Sequence, residues 1–150
     1  MNYSITEKPQ FTVMGVCRKF HPETSYEKIP EYWTEMMSAP DFPLKGMYGI
    51  CMDSDGQDSQ FDYWIADDYI PWQPIPGQCN PLVIPAGLWV VFPCKLSTLQ
   101  ETNTYMWQQW LPNCQEYRLS GNYNIEMYGP LCESDSGDTY VELWLPVEKI

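Results

Sequence analysis

The chain has 150 residues, with 20 acidic and 8 basic side chains, a formal charge of -12 at pH 7 and a pI near 4.2. This length predicts one domain with a core of its own. DNA and RNA are bound through clusters of Lys and Arg, and the few basic residues here are scattered, which argues against direct nucleic-acid binding. The same charge argues against anionic lipid, and no apolar stretch reaches the roughly 18 residues of a membrane span.

The first residues carry neither the basic start nor the apolar run of a signal peptide, and we therefore expect a cytoplasmic protein. Six widely spaced cysteines without a CxxC pair then predict reduced thiols rather than disulfides. With His21 as the single histidine, we predict no metal site and no cofactor. Seven Trp and eleven Tyr exceed the needs of a small core, which is typical of rings that line a pocket or an interface.

The first half of the chain predicts a strand, a helix and a hairpin, followed by a linker. In order these are Phe11–Phe20, 26–38, 47–53 paired with 61–67, and 69–85. The helix carries Ile29, Trp33 and Met36 at helical spacing, with Pro30 expected in its first turn. The hairpin turn at 54–59 contains an Asp-Gly pair. The linker is rich in proline, which predicts an extended loop or an edge segment.

The second half repeats this order. It predicts a strand, a helix and a hairpin at Gly87–Lys95, 97–111, and 122–129 paired with 139–147. Ser97 or Thr98 can cap the helix, Pro112 follows its end, and the hairpin turn lies at 134–138.

The repetition aligns residues 48–50 with 123–125, and 62–65 with 142–145, at a period of about 75 residues. We therefore predict an α+β fold of duplicated β-α-β-β units with pseudo-twofold symmetry. Its antiparallel sheet would carry two helices on one face and a ligand cleft at the seam. The single domain, 1–150, would consist of halves at about 1–68 and 86–150, joined by the 69–85 linker.

Strand alternation assigns the side chains of the last strand to faces. Val141, Leu143, Leu145 and Val147 form one aliphatic face, while Tyr140, Glu142 and Trp144 share the other. In the equivalent strand of the first half, Asp62 and Trp64 share one face. The repeat thus predicts two matched pairs for ligand binding: Asp62 with Trp64, and Glu142 with Trp144.

Four ordered stretches resemble the GyrI-like, or AraC-type, effector-binding domain, the small-molecule module of multidrug-responsive bacterial regulators. They are FDYWIA at 61–66, IPAGLWVVF at 84–92, WLP at 110–112 with Tyr117 and IEMY at 125–128, and VELWLPV at 141–147. Together with their spacings they cover nearly the whole chain. The resemblance implies the same duplicated fold.

The resemblance also implies a site. A glutamate in the last strand of such domains lies at the floor of an aromatic cleft that binds lipophilic and often cationic compounds, and Glu142 matches it. Tyr117 and Trp144 match pocket walls, and Ala66 and Cys114 depart from the glycine and serine common there. The predicted ligand-binding set is Glu142, Trp144, Tyr140, Tyr117, Trp110, Trp89, Trp64 and Asp62. Since the sequence begins at the module, we expect a stand-alone member without a DNA-binding domain.

Three functions are compatible with these residues. The favoured one is a binding module for a lipophilic, cationic small molecule, because a desolvated carboxylate among aromatic rings attracts a delocalised cation. The alternative is a hydrolase of strained, cyclopropanoid-type electrophiles. Glu142 would act as general base to a water or as a charge that stabilises the developing cation, with Tyr117 or Tyr140 as hydrogen-bond donor. The third is an acidic inhibitor of a nucleic-acid enzyme such as gyrase. A protein partner, and the choice between monomer and homodimer, stay open.

Overall fold

The computed structural model describes residues 2–53, 60–133 and 139–150, and the turns predicted at 54–59 and 134–138 lie outside them. The described residues form two helices and nine strands. The strands are β1 (Ser4–Lys8), β2 (Phe11–Phe20), β3 (Tyr48–Asp53), β4 (Phe61–Asp68), β5 (Asn80–Ile84), β6 (Gly87–Lys95), β7 (Tyr117–Leu119), β8 (Tyr123–Glu133) and β9 (Thr139–Lys149). The pairs β1–β6, β2–β4, β2–β5, β3–β4, β6–β9, β7–β9 and β8–β9 are antiparallel, which confirms the predicted α+β class. Duplication and pseudo-twofold symmetry stay predictions.

The helices lie close to their predicted positions. The first, α1, spans Ser25–Ser38, and Pro30 lies in its second turn rather than its first. The second helix is built from a 3-10 turn, an α-helical segment, a π-helical turn and a last short α-helical turn. These are Leu96–Thr98, α2 (Leu99–Tyr105), Met106–Trp110 and α3 (Leu111–Asn113). No helix of the described residues has the length and apolarity that crossing a membrane requires.

Residues 11–84 form one compact unit, with strand order β3-β4-β2-β5. Its core lies between α1 and one sheet face, where Tyr32 of the helix is buried against Phe20, Tyr63 and Ile65. The predicted hairpin is confirmed by the pairing of β3 with β4. The proline-rich linker contributes β5, which pairs with β2 at the edge of this unit. An edge segment was one of the two structures predicted for the linker, and proline is tolerated in edge strands.

Residues 1–10 and 85–150 form the other compact unit, with strand order β1-β6-β9-β8 and β7 paired to β9. The strand β1 was not predicted, and it pairs with β6 from Ser4 opposite Val91 to Lys8 opposite Gly87. The compact units therefore divide the chain differently from the predicted halves. A five-residue strand that pairs with a segment far along the chain leaves little local signal.

The core of this second unit lies between the sheet and the second helix. Val90 and Phe92 of β6, together with Leu143 and Leu145 of β9, are buried there against Met106 of the helix. Burial of such aliphatic and aromatic side chains contributes roughly 1.5–3 kcal/mol each. Because the helix covers this face, the alternate side chains of β6 and β9 point to the opposite face of the sheet.

Candidate functional site

The site is positioned by alternation along β9. Val141 and Leu143 point toward the second helix, so Tyr140, Glu142 and Trp144 point to the opposite face of the sheet. This is the arrangement that the sequence predicts, and it is local: residues two apart on a strand lie side by side on one face.

The Glu142 carboxylate is held by its two neighbours on that face. The hydroxyl of Tyr140 donates a hydrogen bond to Oε2 at 2.7 Å, and the indole Nε1 of Trp144 donates to Oε1 at 2.9 Å. Each oxygen thus accepts from one of these two neighbours, and a carboxylate oxygen can accept more than one hydrogen bond. The half-buried carboxylate is therefore oriented by side chains of its own strand.

Trp89 of β6 extends this group into an aromatic cluster. Its ring meets Trp144 edge to face at 6.0 Å between centroids and Tyr123 of β8 at 5.6 Å. Trp89 is 1% exposed and Trp144 6%. The Trp89 indole N–H is buried and has no hydrogen-bond partner among the described residues. Burial raises the pKa of Tyr123 above its ordinary value, which keeps the phenol neutral.

A basic side chain completes the cluster. Lys8, the last residue of β1, places its Nζ 4.2 Å from the centroid of the Trp144 ring, which is the geometry of a cation–π contact. We define the aromatic–carboxylate site as Glu142, Tyr140, Trp144, Trp89 and Lys8.

Asp62 and Trp64 were predicted as the matching pair, and they share the face of β4 that points away from α1 in the other unit. This face follows from the burial of Tyr63 and Ile65 on the α1 side. Asp62 forms an ion pair with Lys19 at 3.2 Å. Its charge is thus compensated by a basic residue of the same unit, whereas Glu142 accepts hydrogen bonds from neutral donors.

Trp110 and Tyr117 lie elsewhere in the unit that contains Glu142. Both belong to the cluster between the sheet and the second helix, where Trp110 meets Phe92 edge to face at 5.7 Å. The structure therefore brings Trp89, Tyr140 and Trp144 together with Glu142, and it places Trp110 and Tyr117 among the residues that pack the helix.

The sequence analysis did not select two residues found here. Lys8 belongs to the aromatic–carboxylate site, and the ring of Tyr123 contacts Trp89. Tyr123 was aligned in the repeat with Tyr48, and that alignment was the signal for it. Lys8 had no signal because β1 itself was not predicted. Within the described residues, no group of three His, Cys, Asp or Glu side chains is arranged to hold a metal ion. A fixed carboxylate and aromatic faces attract positive charge.

The sequence was compared with protein-family models and with curated proteins. The chain matches the family model of the GyrI-like small molecule binding domain over residues 1–148. No curated protein sequence matches it.

Solved structures resemble the fold over nearly its whole length. A candidate bacterial transcription regulation protein of Staphylococcus aureus MU50 is 17% identical, with a TM-score of 0.68 and 99% of each chain covered. SAV2435, solved bound to tetraphenylphosphonium, is 17% identical, with a TM-score of 0.69, covering 99% of this chain and 94% of the other. The integron cassette protein VCH_CASS2 of Vibrio cholerae is 18% identical, with a TM-score of 0.71 and coverages of 97% and 95%. At these identities the likeness establishes a shared fold.

Proposed function

We propose that this chain, which belongs to the GyrI-like small-molecule-binding domain family, binds a lipophilic organic cation at its aromatic–carboxylate site. The observation that carries the proposal is the Glu142 carboxylate, fixed between the Tyr140 hydroxyl and the Trp144 indole and backed by a buried aromatic cluster. Neutral donors orient the carboxylate without cancelling its charge.

The carboxylate and the aromatic rings both favour a cation with an apolar body. A carboxylate and a cation about 4 Å apart attract each other by about 4 kcal/mol at the effective dielectric of a protein surface. Aromatic faces add about 0.5–2 kcal/mol when they meet a cation. The excess of acidic residues raises the local concentration of cations around the whole chain.

The remaining predicted residues take other roles in this proposal. Asp62 is held by Lys19, which makes it a weaker attractor than Glu142. Trp110 and Tyr117 support the site from behind, because they pack the second helix onto the sheet that carries Glu142.

The test is a calorimetric titration with tetraphenylphosphonium, the ligand bound to SAV2435, and with tetraphenylborate, an anion of nearly the same shape. Glu142→Gln keeps the size of the side chain and removes its charge. The amide oxygen can still accept from the Trp144 indole, and the NH₂ can donate to the Tyr140 hydroxyl oxygen. We expect this variant to bind the cation about 10- to 100-fold more weakly, the loss that one partly exposed carboxylate contributes. The anion, in contrast, should bind the variant at least as well as the wild type.

The matched control is Glu126→Gln. Glu126 lies opposite Leu143 in the β8–β9 register, so its side chain belongs to the face that carries the second helix. This variant has the same change in net charge and should leave affinity for the cation within about twofold of wild type. Equal losses in both variants would mean that overall charge, rather than the site, attracts the ligand. Equal affinity of wild type and Glu142→Gln would refute the proposal.

A further inference from the structure

Lys8 places a cation on the ring that the proposed ligand would use. Its Nζ lies 4.2 Å from the Trp144 ring centroid, and the N–H of the same indole donates to Glu142 at 2.9 Å. The Lys8 ammonium therefore contacts the Trp144 ring, and the N–H of that ring contacts the Glu142 carboxylate.

This arrangement makes the Trp144 face attractive to positive charge. An indole that donates its N–H to a carboxylate is polarised by that bond, because hydrogen-bonded groups in a weakly solvated region polarise one another. The polarisation places more electron density on the ring face, which strengthens its attraction for a cation. In the structure the Lys8 ammonium lies over this ring face.

Lys8 differs in this respect from Lys19. Lys19 meets the Asp62 carboxylate directly at 3.2 Å and neutralises it. Lys8 forms no ion pair with any carboxylate of the described residues and lies on a ring instead, although the chain has 20 acidic residues. Its ammonium is a compact, strongly hydrated charge on a flexible four-carbon stem, so it can leave the ring for water when a competitor arrives.

We propose that Lys8 is a tethered competitor that covers the Trp144 face, as it does in this structure, and is displaced when an organic cation binds. This inference rests on the proposed function, since it concerns the same site. Its consequence is selectivity. A ligand gains affinity only if it holds the ring face and Glu142 more strongly than a tethered primary ammonium does. The site therefore selects bulky, weakly hydrated cations with apolar bodies over small primary amines.

The first experiment measures tetraphenylphosphonium affinity in Lys8→Gln, Lys8→Arg and Lys149→Gln. In Lys8→Gln the competing ammonium is removed, and we expect the affinity for the cation to rise about 3- to 20-fold. This is the factor by which a cation–π contact would lower the fraction of wild-type molecules whose Trp144 face is free of Lys8. Lys8→Arg retains a cation that stacks on rings and should not tighten binding. Lys149→Gln makes the same charge change on the last residue of β9, on the strand face that carries Val147, and should stay within about twofold of wild type.

Salt separates displacement from simple repulsion. In about 1 M salt the screening length falls to about 3 Å, so repulsion between Lys8 and a ligand that leaves it in place would be largely screened. Competition for the same ring face requires contact, and most of the gain in Lys8→Gln should persist. A gain that disappears in high salt would overturn the displacement.

The second experiment observes Lys8 directly in the wild-type protein, and so does not depend on how the variants fold. Protons of the Lys8 side chain above an indole face should resonate upfield in the NMR spectrum, and saturation with tetraphenylphosphonium should return them toward the values of an exposed lysine. Lys8→Arg assigns the signal by its disappearance.

The outcomes separate this inference from the proposed function. If the cation binds and depends on Glu142, but the Lys8 signal stays upfield and Lys8→Gln has wild-type affinity, the competitor is refuted and the proposed function stands. If Lys8→Gln tightens binding while Glu142→Gln changes nothing, the role of Glu142 fails and the competitor stands. If neither the wild type nor any variant binds the cation, both fail.

Discussion

Asp67 is a buried carboxylate at the end of β4 that fixes the segment leading into β3, and its replacement by asparagine should destabilise the fold. The backbone N–H groups of Lys45, Gly46 and Met47 all donate to it, at 2.7, 2.8 and 3.0 Å. Gly46 has a φ of 81°, which glycine adopts readily. That conformation belongs to the turn in which the three N–H groups converge.

The expected loss follows from which oxygen each group uses. Gly46 and Met47 donate to Oδ1, and Lys45 donates to Oδ2. An asparagine oxygen in the Oδ1 position keeps two bonds in weaker, neutral form, while its NH₂ faces the Lys45 N–H and leaves that donor unpaired. A hydrogen bond to a charged group contributes about 1.5–3 kcal/mol. An unpaired donor costs about 1–3 kcal/mol when it is buried, and the part-buried Lys45 N–H lies toward the low end of that range. We therefore expect Asp67→Asn to lower the free energy of unfolding by about 2–4 kcal/mol.

Urea denaturation followed by tryptophan fluorescence measures this loss, and thermal unfolding should show a Tm lower by about 5–15 °C. The matched control is Asp68→Asn. Asp68 is exposed and accepts a hydrogen bond from the Tyr48 hydroxyl at 2.9 Å, which an asparagine oxygen can still accept. Its loss should stay below about 1 kcal/mol. Equal losses in the two variants would refute the assigned role of the three N–H groups.

Two further predictions concern titration. The pKa of the Cys17 thiol is raised to about 11, first by loss of water around the sulfur and then by the Asp62 carboxylate. At about pH 8 its alkylation, mapped by mass spectrometry, should be about 100-fold slower than that of an ordinary thiol, and Asp62→Asn should accelerate it; unchanged rates would contradict this. Burial raises the pKa of Tyr32 from 10.0 to about 12. Between these values the folded chain keeps a proton that the unfolded chain releases, so stability falls as pH rises. Tyr32→Phe should reduce that loss by about 1–2 kcal/mol in chemical denaturation, and parallel pH profiles would argue against it.

Much of the fold could be predicted because its signals are local. β2 has the predicted bounds, α1 begins one residue earlier than predicted, and β4 and β9 have the predicted faces. Alternation of apolar and polar residues is a property of neighbouring positions, and burial in this chain follows it. The resemblance to GyrI-like domains was confirmed by the match over residues 1–148.

The features that were missed depend on distant partners. β1 and β7 are short strands whose existence depends on pairing with β6 and β9. Trp110 gave no local indication that its ring packs among Tyr3 and Phe92. Its helical segment is π-helical, a widening that propensity does not predict. In each case tertiary packing decided a choice that the local sequence left open.

The sequence by itself determined that Glu142 and Trp144 share a face with Tyr140, because a strand has a side-chain period of two and these residues lie two apart. It also determined that the opposite face is aliphatic and therefore carries a helix. Only the tertiary structure decided which cation lies on Trp144. Lys8 comes from the other end of the chain and reaches the ring through the pairing of β1 with β6 and of β6 with β9. Contacts of that kind are fixed by sheet order, which is a property of the whole fold rather than of any stretch of sequence.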